Sequence, residues 1–199
     1  MNYSPNTSPG YKHILKKVWF IVIALVSFIH AKSQDVYLST NGTVSFFSET
    51  PLENIDAVTN QAVGALNVKT KSVFFKAKMS TFEFKKSLMQ EHFNENYMES
   101  EKYPFATFNG SINEDVDLTL DSTYEVTVTG KFSLHGIDQD RTIPGTIVVK
   151  NGSIEVTSAF DVMVSDHEIK IPSVVSQNIA ETVRVKVYAE MMPTRENAK

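Results

Sequence analysis

The chain has 199 residues and a mass of 22.3 kDa, enough for one domain with an appendage, and 42% hydrophobic with 21% charged residues permits a packed core. It holds no cysteine, which excludes disulfides, a thiolate nucleophile, Cys-ligated zinc and a lipidated N-terminal cysteine. Residues 1–33 contain four of the 19 basic side chains and none of the 23 acidic ones, so the remainder carries 15 against 23, a formal −8 that disfavours nucleic acid and anionic lipid surfaces as partners.

In chain order, Lys12, Lys16 and Lys17 precede an uncharged run of 12 residues from Val18 to Ile29, followed by Ala31-Lys32-Ser33. This is the order of a secretory signal peptide: the run is shorter than the ~20 residues that span a bilayer and falls within the ~7–15 of a signal core. Residues 1–33 are therefore expected to be a signal peptide cut after Ser33, with a retained N-terminal anchor as the alternative. Residues 34–199 are then the exported body, periplasmic or secreted, with no stable membrane anchor once the signal is removed.

From Val36 onward the pattern has period two. Tyr124, Val126, Val128, Gly130, Phe132 and Leu134 alternate with Glu125, Thr127, Thr129, Lys131, Ser133 and His135, which gives one apolar and one wet face. Similar alternation predicts about eight strands, near 43–48, 58–68, 72–84, 104–112, 122–135, 140–150, 152–165 and 182–191. Asn151-Gly152 reads as a type I′ hairpin turn. Long strands with polar outward and apolar inward residues imply an all-β antiparallel fold, a closed barrel or a deep sandwich, and a barrel with this outward face is not an outer-membrane one. Leu88, Met89, Phe93 and Tyr97 share a face of a short amphipathic helix over 86–99, and Ser173–Ala180 resembles a second helical turn.

Sequence motifs for catalysis are scarce. No nucleophile elbow, P-loop or dinucleotide fingerprint occurs. Glu91, His92 and Glu95 could lie on one helical face, but a solvated face explains them better than a metal site. His135 could be oriented by Asp138 or Asp140 as a base, although a turn histidine is the simpler account, and Asp166-His167-Glu168 read as a solvated strand end. A lipid-modifying enzyme using His92 or His135 is thus a minor alternative, and no cofactor is called for.

The interior is more informative. An eight-stranded barrel is just wide enough to be filled by its own side chains or to hold one small ligand. Its inferred inward face mixes Phe75, Met79, Phe108, Tyr124, Phe132 and Phe160 with Ala77, Ala106, Gly110, Gly130, Gly145 and Ser158, which leaves a hollow and a filled interior equally open.

Three stretches, Met79-Ser-Thr-Phe-Glu-Phe84, Leu88-Met-Gln-Glu-His-Phe-Asn-Glu-Asn-Tyr97 and Glu101-Lys-Tyr-Pro-Phe-Ala-Thr-Phe-Asn-Gly110, resemble the YceI-like polyisoprenoid-binding family of exported bacterial proteins. So do Gly130-Lys-Phe-Ser-Leu-His-Gly136, the following Arg141 and Ile169-Lys-Ile-Pro172, and the resemblance spans roughly residues 36–192. It implies a lipocalin-like barrel whose elongated apolar cavity takes a long isoprenoid or another amphiphilic lipid, without catalysis. The candidate ligand-binding residues are Phe75, Met79, Phe82, Phe93, Tyr124, Phe132 and Phe160, with Lys76, Lys78, Lys85, Lys86 and Arg141 available for a head group at the mouth. A filled-core interaction protein without ligand is the alternative, and an open mouth could be covered by a homodimer.

Overall fold

The computed structural model describes residues 35–171 and 180–194; the expected signal peptide at 1–33 and, save Ala180, the helical turn at 173–180 lie outside the described residues. Eight strands form the barrel: β1 (Val36–Ser48), β2 (Ile55–Asn67), β3 (Ser72–Lys78), β5 (Phe105–Ile112), β6 (Ser122–Leu134), β7 (Ile137–Lys150), β8 (Ser153–Met163) and β9 (Thr182–Pro193), with β4 (Glu83–Phe84) an appended two-residue strand. They follow one another as β1-β9-β8-β7-β6-β5-β3-β2, and β2 returns to β1, so the sheet closes on itself. All neighbours are antiparallel. This is the expected eight-stranded lipocalin-like barrel.

The departures from the predicted boundaries have local causes. β1 starts at Val36 rather than near 43, because Asn41-Gly42 is not a turn: the β1–β2 register shifts on both sides of Gly42, a bulge that lets one long strand bend and continue. The expected strand 72–84 stops at Lys78. There the chain makes a tight turn, Met79–Thr81, in which the Thr81 hydroxyl donates to the Lys78 carbonyl at 2.7 Å and also meets Thr59 Oγ1 at 2.8 Å. Met79 and Phe82 are both buried, three residues apart, so the period has left two.

The helix is shorter than predicted. It is regular only over α1 (Ser87–His92), and Phe93–Tyr97 widens into a π turn with Met98 N–H donating to the Phe93 carbonyl at 2.8 Å. Asn94 explains the widening: its side-chain amide donates to the Gln90 carbonyl at 2.9 Å, and its side-chain oxygen accepts from Ser100 Oγ at 2.7 Å.

Two tight hairpins fix the register of three strands. Asn151-Gly152 has positive φ at both positions, as the sequence indicates, and so has His135-Gly136 between Leu134 and Ile137. A glycine pair sets the bend between β5 and β6. Gly110 and Gly130 are direct partners, and a β-carbon on Gly130 would collide with the backbone of Asn109 and Gly110. These two glycines therefore mark a close approach of strands and not unfilled volume.

Side chains divide the interior lengthwise. One end is packed solid around Leu66, Leu118, Ile154 and Met191, each at 1% exposure or less. The other carries Phe46, Phe82, Phe84 and Phe93, with ring centroids 5.0–5.9 Å apart. Replacing Gly130 by alanine is expected to lower stability by ~1–3 kcal/mol through overpacking, measured as a fall in the urea midpoint; wild-type stability would contradict the close approach.

Candidate functional site

Between the solid end and the aromatic end lies a cavity of about 520 Å³. That is within the ~300–1,000 Å³ typical of small-molecule sites. Its wall comes from alternate residues of the strands, among them Ala77, Ala106, Val128, Gly145, Ser158 and Val187. Val183, Val185 and Val187 face inward on β9 yet are only half-buried, because the space in front of them is empty, whereas Ala189 and Met191 further along the same face are wholly buried in the solid end. The interior is thus both filled and hollow, each over part of its length.

Phe75 and Met191 form the floor. Both line the cavity, and Phe75 packs against the solid end and the mid-wall cluster of Phe108, Phe132, Ile143 and Val162 alike. Gly64 makes room for them: a β-carbon there would stand 2.7 Å from Met191 Cε and 2.8 Å from Phe75 Cε1.

Of the seven candidate ligand-binding residues, Phe75, Met79, Phe82, Phe93, Phe132 and Phe160 line the cavity. Tyr124 does not. It packs on the solid end, where its hydroxyl donates to the carbonyls of Asp117 at 2.6 Å and Leu120 at 3.1 Å, fastening the 113–121 segment over that end. Glu114 in this segment accepts from Thr127 N–H and Oγ1, which holds its carboxyl below the ordinary value. Wall residues that sequence reasoning left out are Phe46, Phe84 and Met98, all brought in by the turns after β3 and α1 and by the bulged β1.

Charged side chains at the cavity are already engaged. Lys86 pairs with Glu53 at the rim, and the Lys76 ammonium lies 4.8 Å from the centre of the Phe105 ring. Outside the lining, Lys85 faces Asp56 at 3.5 Å, and Arg141 donates to the Asp161 carbonyl at 2.6 Å. Tyr97 and His92 complete the rim, and burial pushes the Tyr97 phenol above its ordinary value.

Among the described residues the histidines do not assemble a catalytic pair. His135 has Nδ1 3.0 Å from the His167 carbonyl and Nε2 3.0 Å from Glu99 Oε2, so its orienting carboxylate is Glu99 and not Asp138 or Asp140. Asp138 instead accepts from Ser133, a bond that holds its carboxyl below the ordinary value. His92 is exposed at the end of α1. Among the described residues no three or more His, Asp or Glu side chains converge as metal ligands, Glu91, His92 and Glu95 included.

His167 overturns an expectation. It is not solvated but wholly buried, against the Phe132 ring at 5.2 Å, with its nitrogens near the backbone of Leu134 and Ile137 yet lacking a hydrogen bond of good geometry. With Asp166 and Glu168 on either side exposed, only tertiary packing of the turn Val164–His167 explains it.

The described residues thus form a closed antiparallel barrel with an apolar hollow of ligand size. The sequence matches the YceI-like domain over residues 32–191, and the chain belongs to that family. Its fold is similar to a polyisoprenoid binding domain from Saccharophagus degradans implicated in plant cell wall breakdown, at 14% identity and a TM-score of 0.68, covering 80% of this chain and 99% of that one. It is similar also to Burkholderia cenocepacia BcnA, at 16% identity and a TM-score of 0.63, covering 75% and 95% of the two chains. The Campylobacter jejuni YCEI protein is a third, at 14% identity and a TM-score of 0.54, covering 79% and 86%. Among curated proteins, none matches the sequence.

Burial holds the His167 imidazole neutral and below its ordinary value, whereas the unfolded chain takes up a proton at ~6.5. The unfolded state then binds more protons, so this contribution to stability is complete above ~6.5 and is lost as pH falls toward the depressed folded value. The urea midpoint is expected to fall between pH 7.5 and pH 5, and His167→Leu to flatten that slope; an unchanged slope in the variant would contradict the assignment.

Proposed function

We propose that this protein holds or carries an apolar lipid, such as a polyisoprenoid, in the hollow half of its barrel, without catalysing a reaction on it. The observation that carries this is the cavity of about 520 Å³, walled mostly by aliphatic and aromatic side chains, with Lys86 paired to Glu53 and the Lys76 ammonium beside the Phe105 ring. Each methylene taken from water into such a space contributes about 0.8 kcal/mol, so a few isoprene units bind firmly without a charged anchor. The Saccharophagus relative, described as a polyisoprenoid binding domain, supports the choice of ligand class. The order of residues 1–33 supports export, and we place the working protein in the periplasm or outside the cell.

A catalytic role for His135 is disfavoured by its engagement with Glu99 and the His167 carbonyl, which makes it a clasp between turns. A filled-core protein without ligand is disfavoured by the hollow itself.

The test is native mass spectrometry of residues 34–199, purified from a bacterial envelope without detergent, before and after organic extraction. Extra mass that extraction removes is the expected result; an apoprotein mass that does not shift with isoprenoid quinones or polyprenyl phosphates would contradict the proposal. Truncating the floor provides a second check. Phe75→Ala is expected to cost about 3 kcal/mol of stability and to shift the preferred prenyl alcohol toward longer chains, read by competition binding across a chain-length series. An unchanged preference would remove Phe75 as the floor.

A further inference from the structure

The barrel wall is unevenly hydrogen-bonded. β6 and β7 pair from Ser122↔Val149 to Leu134↔Ile137, and β8 and β9 from Ile154↔Met191 to Met163↔Thr182. β7 and β8 pair only from Lys150↔Ser153 to Gly145↔Ser158. From there toward the aromatic end, residues 137–144 and 159–163 have ladder partners on their other sides and none in each other.

The gap begins at Pro144. In an antiparallel strand the N–H and C=O of one residue point to the same neighbour. The Pro144 carbonyl points to β8, where it accepts from Ser158 Oγ at 2.6 Å, and its nitrogen has no hydrogen to offer there. Beyond this point the gap is bridged by side chains. Arg141 Nη2 donates to the Asp161 carbonyl at 2.6 Å, and Gln139 Nε2 to the Asp166 carbonyl at 3.0 Å. Arg184 holds the Asp161 carboxylate at 3.0 Å from the β9 side. At the aromatic end the gap stops at the turn carrying the buried His167.

The gap borders the cavity. Ile143, Phe160 and Val162 flank it and line the hollow. Pro144, Gly145 and Ser158 line both the hollow and a groove on the outside of the barrel, so they are the wall between the two. Among the described residues, parting β7 from β8 over 137–144 and 159–163 would break side-chain contacts and no β7–β8 ladder bond, whereas β6–β7 and β8–β9 are laddered along the same stretch.

We propose that the β7–β8 seam is a lateral portal through which an elongated apolar chain enters and leaves the cavity, with Arg141 and Gln139 as its latches. The proposal rests on the cavity being the lipid site. Entry from the side spares a long chain from threading past Phe46, Phe82, Phe84 and Phe93 at the end of the barrel. It also has a kinetic signature. Arg141 and Gln139 are not cavity-lining, so changing them alters the barrier common to entry and exit: both rate constants move by one factor and the Kd stays put.

The experiment is stopped-flow retinol binding, read by the fluorescence change of the probe, on the full exported body. The double variant Arg141→Ala/Gln139→Ala is expected to raise the association and dissociation rates together, by about tenfold for the loss of two hydrogen bonds. The absence of native cysteine allows the converse. Asp140→Cys/Met163→Cys places two thiols at exposed positions that face each other if the register is extrapolated across the seam, and bridging them with a short bis-maleimide is expected to slow both rates at least tenfold at constant Kd. Unchanged rates in the bridged protein, or a change in Kd in place of rates, would overturn the portal and leave the cavity standing. A wild-type protein that takes up neither retinol nor a prenyl alcohol would overturn the cavity as the lipid site, and the portal with it.

Discussion

The structure depends on β1 being hydrogen-bonded along both of its edges, to β2 from Val36↔Asn67 to Ser48↔Ile55 and to β9 from Tyr37↔Pro193 to Phe47↔Arg184. That double pairing turns an eight-stranded meander into a closed wall, which removes the free edges of an open sheet and gives every second residue a common interior. Closure needs a first strand that bends, and the bulge around Gly42 supplies the bend. With eight strands in the ring the interior is narrow, so the size of individual side chains decides where it is filled. Leu66, Leu118, Ile154 and Met191 fill one end; Ala77, Ala106, Gly145 and Ser158 leave the other hollow.

The hollow and its rim follow from this division. The floor is set by Phe75 and Met191 resting over Gly64, whose missing side chain leaves room for both in these positions. The roof is a cluster of four phenylalanines drawn from β1, the turn after β3, β4 and the segment after α1. Engagement of Lys76 and Lys86 by the Phe105 ring and Glu53 leaves an environment suited to hydrocarbon. The histidines fit the same picture: His135 clasps the turns at the aromatic end, and His167 is packed beneath Phe132.

Much of this was legible in the sequence, because period-two alternation is a direct consequence of a strand with one dry and one wet face. It placed β6, β8 and β9 within a few residues and put Phe132, Phe160 and Phe75 on the inward face. The failures occur where a residue has two uses. Asn-Gly marks a hairpin at 151–152, but a bulge at 41–42. Tyr124 has the inward parity of Phe132 but sits eight residues nearer the solid end, a position along the barrel that alternation does not encode. His167, between two exposed acidic residues, carries no local signal of burial. Pro144 did carry one: a proline inside a strand announces a missing ladder bond, and the β7–β8 seam begins there.

The central claim is that the hollow half of the barrel takes hydrocarbon for its apolar surface and without help from charge. Calorimetric titration of the exported body with a prenyl alcohol, at several temperatures and at low and high salt, addresses it directly. Burial of apolar surface requires a negative heat-capacity change, and the absence of an ion pair to the ligand requires an affinity that salt does not weaken. No binding, or an affinity that collapses as salt is raised, would contradict the account.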